Sequence, residues 1–305
     1  MKDFRWFLVI TLWQLLLLLL VFVVVTDLNI RQHAKENRVL PLPIATWSTT
    51  LYPIFTLDKD PNISALAAVI IDDDSKALLF SKNPTLLFSM ASTTKIMTAL
   101  VALSYYKMDD VLTIKADSIE GAIIGLKSGQ KVRFEDLLYA MLLPSANDAA
   151  YALAQNYPGG ENAFVAKMND FALLFHLYNT HFADAAGLLD EKDYTTPLDL
   201  ARLASIALKN KIFSQIVATK YKIISDADGK VRFPIYNLNK LLGIDGVKGV
   251  KTGYTDEAGQ VLVTSKDENG HTIITVVMDS QDRFLDTRKL LGLISGNVNY
   301  LSIRP

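Results

Sequence analysis

The most apolar stretch of the chain comes first. Trp6 to Thr26 carries no charge, and Thr11, Gln14 and Thr26 are its only polar members. A run of that length spans a bilayer core as one helix. It ends Val23-Val24-Val25-Thr26-Asp27, without the small residues of a signal-peptidase site. The expectation is an uncleaved single-pass helix, lipid-embedded over residues 6–26, within an anchor of residues 1–28. Lys2 and Arg5 precede it, and Arg31, Lys35 and Arg38 follow it, so flanking charge leaves its orientation open. Residues 29–58 turn polar and then carry Pro41, Pro43 and Pro53, which predicts a linker.

Beyond residue 58 the apolar period alternates between strand-like and helix-like. Ala65 to Ile71 and Ala77 to Phe80 are short β-type runs around Asp72-Asp73-Asp74-Ser75-Lys76, predicting a hairpin whose turn lacks glycine. A helix is predicted from Ser92 to about Tyr106. Two more cover Glu135–Leu143 and Asp148–Asn156, separated by the breaker Pro144-Ser145-Ala146-Asn147. Asn162 to Leu177 places Phe164, Met168, Phe171 and Phe175 on one stripe, a core face. Thr196 to Lys209 is helical, with Pro197 in its first turn. The chain then returns to β: Gly246–Gly253, Gln260–Ser265, a turn over Lys266–Gly270, and Thr272–Met278. Arg283–Leu293 closes as a helix. Strands at both ends with helices between them predict an α/β (α+β) domain: an antiparallel sheet flanked by helices, with an α-rich insertion. Its bounds are 59–296, and 297–305 form a tail.

Composition narrows the function. Half of the 305 residues are hydrophobic, enough for a sizeable core, and the net charge of −1 offers nothing to nucleic acid. The chain has no cysteine, so neither disulfide nor thiolate chemistry is available. His33, His176, His181 and His271 are scattered without ligand spacing, so no metal and no cofactor is expected.

The candidate chemistry is nucleophilic. Ser92 and Lys95 lie about one helical turn apart and face the same side. Serine needs a base beside it, and a lysine becomes one when burial or a neighbouring cation lowers its pKa. The spacing recurs at Ser104/Lys107 and Ser128/Lys131, so alone it selects nothing. Two further triplets follow in order. In Ser145-Ala146-Asn147, a hydroxyl and an amide can relay a proton and hold a substrate amide. In Lys251-Thr252-Gly253, the lysine adds positive charge, the threonine can bond a carboxylate, and the glycine lets a substrate backbone come close. The backbone N–H groups of Ser92 and Tyr254 can form an oxyanion hole. Each triplet has a duplicate: Ser81-Lys82-Asn83, Ser295-Gly296-Asn297 and Lys127-Ser128-Gly129. Only the ordered set is specific, matching the signature of penicillin-binding proteins and class A β-lactamases.

The longer segments Phe88–Leu100, Leu142–Ala150, Phe164–Asn169, Gly187-Leu188, Asn237–Leu242 and Gly249–Thr255 resemble the low-molecular-mass penicillin-binding proteins, the serine-type D-Ala-D-Ala carboxypeptidases of peptidase family S11. The resemblance covers roughly residues 60–295. It implies a β-lactamase/transpeptidase-like fold, with peptidoglycan stem peptides as substrates and β-lactam antibiotics as inhibitors. It implies Ser92 as the acylated nucleophile, Lys95 as its base, and Ser145 and Asn147 as partners in proton transfer. Lys251, Thr252, Gly253 and Tyr254 are then the substrate-binding strand. Arg283, in an Arg-Phe pair that also resembles the family, supports that strand or the substrate carboxylate, unless it is a surface ion pair. Family members often carry a C-terminal β-domain and amphipathic membrane helix; here the N-terminal span would take over that anchoring, in a bacterial cell membrane with the catalytic domain outside the cytoplasm. Three other outcomes stay open: a D,D-endopeptidase on cross-linked peptidoglycan, a penicillin-binding protein that barely turns over, and a β-lactamase. The last is disfavoured because no E-x-x-L-N segment lies between Asn147 and Lys251.

Overall fold

The computed structural model describes residues 51–55, 60–115, 119–189 and 191–302. The predicted membrane helix and most of the predicted linker lie outside them. Among the described residues, no helix is long and apolar enough to cross a membrane.

The strands are β1 (Leu51–Ile54), β2 (Ala67–Asp72), β3 (Leu78–Lys82), β4 (Phe88–Ser89), β5 (Val111–Thr113), β6 (Lys131–Arg133) and β7 (Tyr194–Thr195). They continue with β8 (Tyr221–Ser225), β9 (Arg232–Tyr236), β10 (Val247–Thr255), β11 (Gly259–Glu268), β12 (His271–Ser280) and β13 (Asn299–Ser302). The helices are α1 (Lys95–Tyr105), α2 (Phe134–Leu142), α3 (Asn147–Asn156), α4 (Gly160–Leu174), α5 (Pro197–Leu208), α6 (Lys211–Val217) and α7 (Arg283–Ile294).

One antiparallel sheet, in the order β10-β11-β12-β2-β3, forms the frame. Side chains alternate across a strand, so each strand feeds two cores. Ala67, Val69 and Ile71 of β2 join Ile274, Val276 and Met278 of β12 in the larger core, shared with α1 to α6. Ala68 and Ile70 join Ile273 and Val277 in the smaller core, closed by Leu290, Leu291 and Ile294 of α7. Both faces being covered, β2 is buried along its whole length, which is why it reads as an unbroken apolar run.

The predicted helices and the two hairpins are present, with differences that have physical causes. The β2–β3 turn manages without glycine because Lys76 takes a left-handed φ of +60° and Asp72 accepts bonds from the Ser75 N–H and hydroxyl. The turn predicted over Lys266–Gly270 is tighter. The strands run on to Glu268 and resume at His271, leaving Asn269-Gly270, both at positive φ, as a two-residue turn. The β8–β9 hairpin and α6 were not predicted. Pro234 argues against a strand, but a two-stranded ribbon tolerates it. The domain bounds also shift. Leu51–Ile54, expected in the linker, pair with Asn299–Ser302, expected in the tail.

Candidate active site

The site forms where the start of α1, the α2–α3 break and the edge strand β10 meet. The helix predicted from Ser92 begins instead at Lys95. Ala91–Thr94 form a 3₁₀ turn, with Ala91 in left-handed geometry at φ +45°. Residues three apart eclipse in such a turn, which lines Ser92 up with Lys95 more directly than an α-turn would. Gly187, at φ +77°, presses against this turn: a side chain there would collide with the Ala91 carbonyl. On the other side, a Cβ on Gly253 would lie 3.2 Å from the Met90 carbonyl oxygen and 3.3 Å from the Ser92 backbone nitrogen. The two glycines let the turn sit between the loop 184–189 and β10.

Lys95 is wholly buried in a helix that is apolar around its first turns. Its Nζ lies 2.8 Å from Ser92 Oγ, 2.8 Å from Asn147 Oδ1 and 2.7 Å from the Ala186 carbonyl oxygen. Burial pulls its pKa down to about 7, against the raising effect of Asp184, Asp193 and Asp148. A neutral amine has two hydrogens and one lone pair. When Asn147 and Ala186 accept those two hydrogens, the lone pair is left for Ser92 Oγ; the protonated amine donates to all three oxygens. The neutral form has the geometry of a base poised to receive the serine proton.

The neighbouring elements hold these acceptors. Asn147 is the first residue of α3; its Nδ2 donates to the Glu120 carbonyl, and its backbone N–H donates to Ala122. Asp148 accepts from the backbone of Ile124, Gly125 and Leu126, fixing the loop that supplies Glu120. Asp184 accepts from the backbone of Ala186, Gly187, Leu188 and Leu189. Thr98 bonds the Ala185 carbonyl from α1, so the loop is tied down at both ends.

Ser145 sits in the break between α2 and α3 at φ +67°, strained for a side chain with a Cβ. Its Oγ accepts from Lys251 Nζ at 2.8 Å, and the same amine donates to the Thr252 carbonyl at 2.8 Å. Burial, then the charges of Lys95 and Arg283, hold Lys251 well below the usual lysine range. Arg283, the first residue of α7, donates from Nη1 to the Gly253 carbonyl at 2.6 Å. Its Nε is buried with no partner among the described residues. Tyr254 is 60% exposed at the mouth, its hydroxyl bonded to Asp256. Gln260 stands opposite it on β11, and among the described residues β10 has no strand on its other side.

Every predicted site residue thus belongs to this cluster, directly or through β10. The duplicate motifs do not. Ser104 bonds the Val101 carbonyl within its own helix, Ser128 bonds the Lys115 carbonyl, and Ser295 accepts from Lys266. The residues missed by sequence reasoning are Asp184 and Asp148 and the carbonyls of Ala186 and Glu120. An aspartate followed by the small residues Ala185-Ala186-Gly187 was the one available signal.

A half-buried Ser92 beside a wholly buried Lys95, a second serine–lysine contact and an edge strand are the groups that serine acyl transfer with a lysine base requires. Residues 55–282 match the model of the D-alanyl-D-alanine carboxypeptidase family, peptidase family S11. The chain is 36% identical to a D-alanyl-D-alanine carboxypeptidase of Streptomyces sp. strain K15, over 72% of this chain and 82% of the relative. It is 32% identical to a D-alanyl-D-alanine endopeptidase of Pseudomonas aeruginosa, over 80% of this chain and 81% of the relative. The crystal structure of the Streptomyces K15 DD-transpeptidase superposes with a TM-score of 0.73 at 34% identity, covering 77% of this chain and 98% of that one. The chain belongs to the S11 family of serine D-Ala-D-Ala carboxypeptidases, and its fold is the mixed α/β fold of the penicillin-binding peptidases.

Proposed function

We propose that Ser92 is the nucleophile and Lys95 the general base of a D-Ala-D-Ala carboxypeptidase that trims peptidoglycan stem pentapeptides. The observation that carries this is the 2.8 Å contact of a wholly buried Lys95 with Ser92 Oγ, at a pKa of about 7. Neutral Lys95 takes the Ser92 proton as Oγ attacks the carbonyl of the penultimate D-Ala. The backbone N–H groups of Ser92 and Tyr254 receive the oxyanion. The C–N bond breaks, the leaving D-Ala amine takes a proton through Lys95 or the Ser145–Lys251 pair, and an ester to Ser92 remains. Water then hydrolyses that ester. Asn147 holds Lys95 and the substrate amide, Thr252 and Arg283 receive the terminal carboxylate, and Gly253 leaves room for the peptide backbone. A β-lactam follows the same path as far as the ester.

Residues 6–26 would tether this domain to the outer face of a bacterial cell membrane, which suits a cell-wall substrate. Free D-Ala released from purified pentapeptide muropeptides tests the activity; an ester that accumulates without product would favour a penicillin-binding role without turnover. Labelling by fluorescent penicillin that survives Ser92→Ala would sink the nucleophile assignment. Recovery of the full chain in the soluble fraction after cell lysis would sink the tether.

A further inference from the structure

The catalytic cluster uses only one side of Arg283. The other side lines a groove of about 560 Å³ together with Leu238, Lys240, Gln260, Phe284 and Arg288. The ring of Phe284 is flanked by two cations, with Lys240 Nζ 5.5 Å and Arg283 Cζ 5.1 Å from its centroid. Lys240 and Arg288 are exposed and have no ion-pair or hydrogen-bond partner among the described residues. The acidic residue on the wall, Asp282, is already engaged, accepting from the backbone of Phe284 and Leu285 as the cap of α7. Arg288 also borders a second cavity of about 450 Å³. There the buried Lys266 is already paired with Glu268 and Ser295. Lys240, Arg283 and Arg288 outnumber Asp282 on this wall, so the groove beside Arg283 carries net positive charge.

Its position relative to the reaction follows from the contacts. Gly253 packs on the Ser92 amide, and its carbonyl accepts from Arg283. The order is therefore Ser92, Gly253, Arg283, groove. Under the reading above, which this inference rests on, Arg283 meets the carboxylate of the leaving residue. Whatever that residue carries beyond its carboxylate extends toward the groove. A leaving D-Ala carries only a methyl group, which leaves the groove unused. The leaving residue of a cross-linked stem peptide carries a second peptide with further carboxylates.

We infer that this groove is a leaving-side subsite for the anionic second peptide of a cross-linked substrate, held by Lys240 and Arg288 over the Phe284 ring. The bond chemistry is unchanged. The cross-link amide C–N bond breaks, Ser92 Oγ takes the acyl group, the freed amine takes the proton, and water clears the ester. The groove adds affinity for one leaving group over another.

The test compares the full-length parent with Lys240→Glu/Arg288→Glu and with the milder Lys240→Gln/Arg288→Gln. Each is assayed on a pentapeptide monomer, on a cross-linked dimer muropeptide and with fluorescent penicillin. Charge reversal is expected to raise KM for the dimer by about tenfold, and the glutamine pair by less, with penicillin labelling and pentapeptide cleavage within about twofold of the parent. The parent's KM for the dimer should rise between roughly 50 and 500 mM salt, because exposed charges are screened over that range. Equal losses on monomer and dimer, or no change on the dimer, would overturn the subsite. So would a parent that penicillin labels and that releases D-Ala from the monomer yet leaves the dimer intact. A parent that penicillin does not label would overturn the catalytic reading instead, and the subsite with it.

Discussion

Lys95 and Asp286 are both sealed from solvent, yet burial governs the ionisation of the first and is overruled at the second. Burial would raise the Asp286 pKa, but bonds from the Ser280 hydroxyl, the Ser64 hydroxyl and N–H and the Ala65 N–H outweigh it and hold the carboxylate below its ordinary range. All of these partners are donors, and all favour the charged form. Around Lys95 the acceptors are neutral: Asn147 Oδ1, the Ala186 carbonyl and the Ser92 hydroxyl, which under the proposed mechanism is the group to be deprotonated. Asp184, Asp193 and Asp148 raise its pKa, but not enough to offset burial. A buried charge with a full set of partners ties residues 64 and 286 together. A buried amine denied one is left with a pKa of about 7, as the proposed base requires.

The sharpest way to break this contrast is at the reactive end. Ser92→Ala should abolish covalent labelling by penicillin, and Lys95→Met should slow acylation by about 10³-fold in stopped-flow measurements. In the parent, acylation should rise with pH through about 7, because Lys95 acts only after losing its proton. A midpoint near the ordinary lysine value would contradict a base tuned by burial.

The structural end should fail differently. Asp286→Ala strands the donors of Ser64, Ala65 and Ser280, and should cost roughly 3 kcal/mol in urea unfolding. The pH midpoint of acylation in the folded fraction should not move. The sign of the linkage is set by the lowered folded pKa. The Asp286 contribution is complete above the unfolded value, about 4, and is lost as pH falls through the folded one. A stability advantage of the parent over Asp286→Ala that persists unchanged well below that range would refute the assignment.

Two smaller effects refine the picture. Arg283→Gln removes the charge beside Gly253 and should raise KM for pentapeptide about tenfold while kcat changes less. A loss confined to kcat would mean that Arg283 does not meet the substrate. Asp184→Asn removes a negative charge that raises the Lys95 pKa, so the acylation midpoint should move to lower pH. It also weakens a carboxylate holding four backbone N–H groups, and should cost about 1–2 kcal/mol by thermal unfolding. A midpoint that stays put, or moves up, would show that Asp184 acts on the loop alone.

The legible part of the site was the part carried by side chains in short spacings. Ser92-Lys95, Ser145-Asn147 and Lys251-Gly253 each announce chemistry within a few residues. Asp184, Asp148 and the carbonyls of Ala186 and Glu120 do not. They act through main-chain groups that every residue possesses, or through a carboxylate indistinguishable in sequence from a surface one. The same limit applied to the fold. The β2–β3 hairpin and the long β10 to β12 meander have strong apolar runs. The β8–β9 ribbon exposes Tyr221, Ile223 and Tyr236 and contains Pro234, so its pattern is weak. The β1–β13 pair joins two segments from opposite ends of the described chain, and neither carries a signal of the other.

By itself the sequence determined the reactive groups, their order along the chain and the elements that carry them, because local periodicity and short spacing are properties of neighbours. Spacing alone left three S-x-x-K pairs equivalent, and the ordered set of triplets singled out Ser92. Tertiary structure built the site around it. It wound Ala91–Thr94 into a 3₁₀ turn between Gly187 and Gly253, buried Lys95, and brought Asn147 and Ala186 to its two hydrogens. A pKa is set by desolvation and by charges summed over everything within reach. Asn147 lies 52 residues from Lys95, and Ala186 lies 91. Only folding puts them within the same few ångströms.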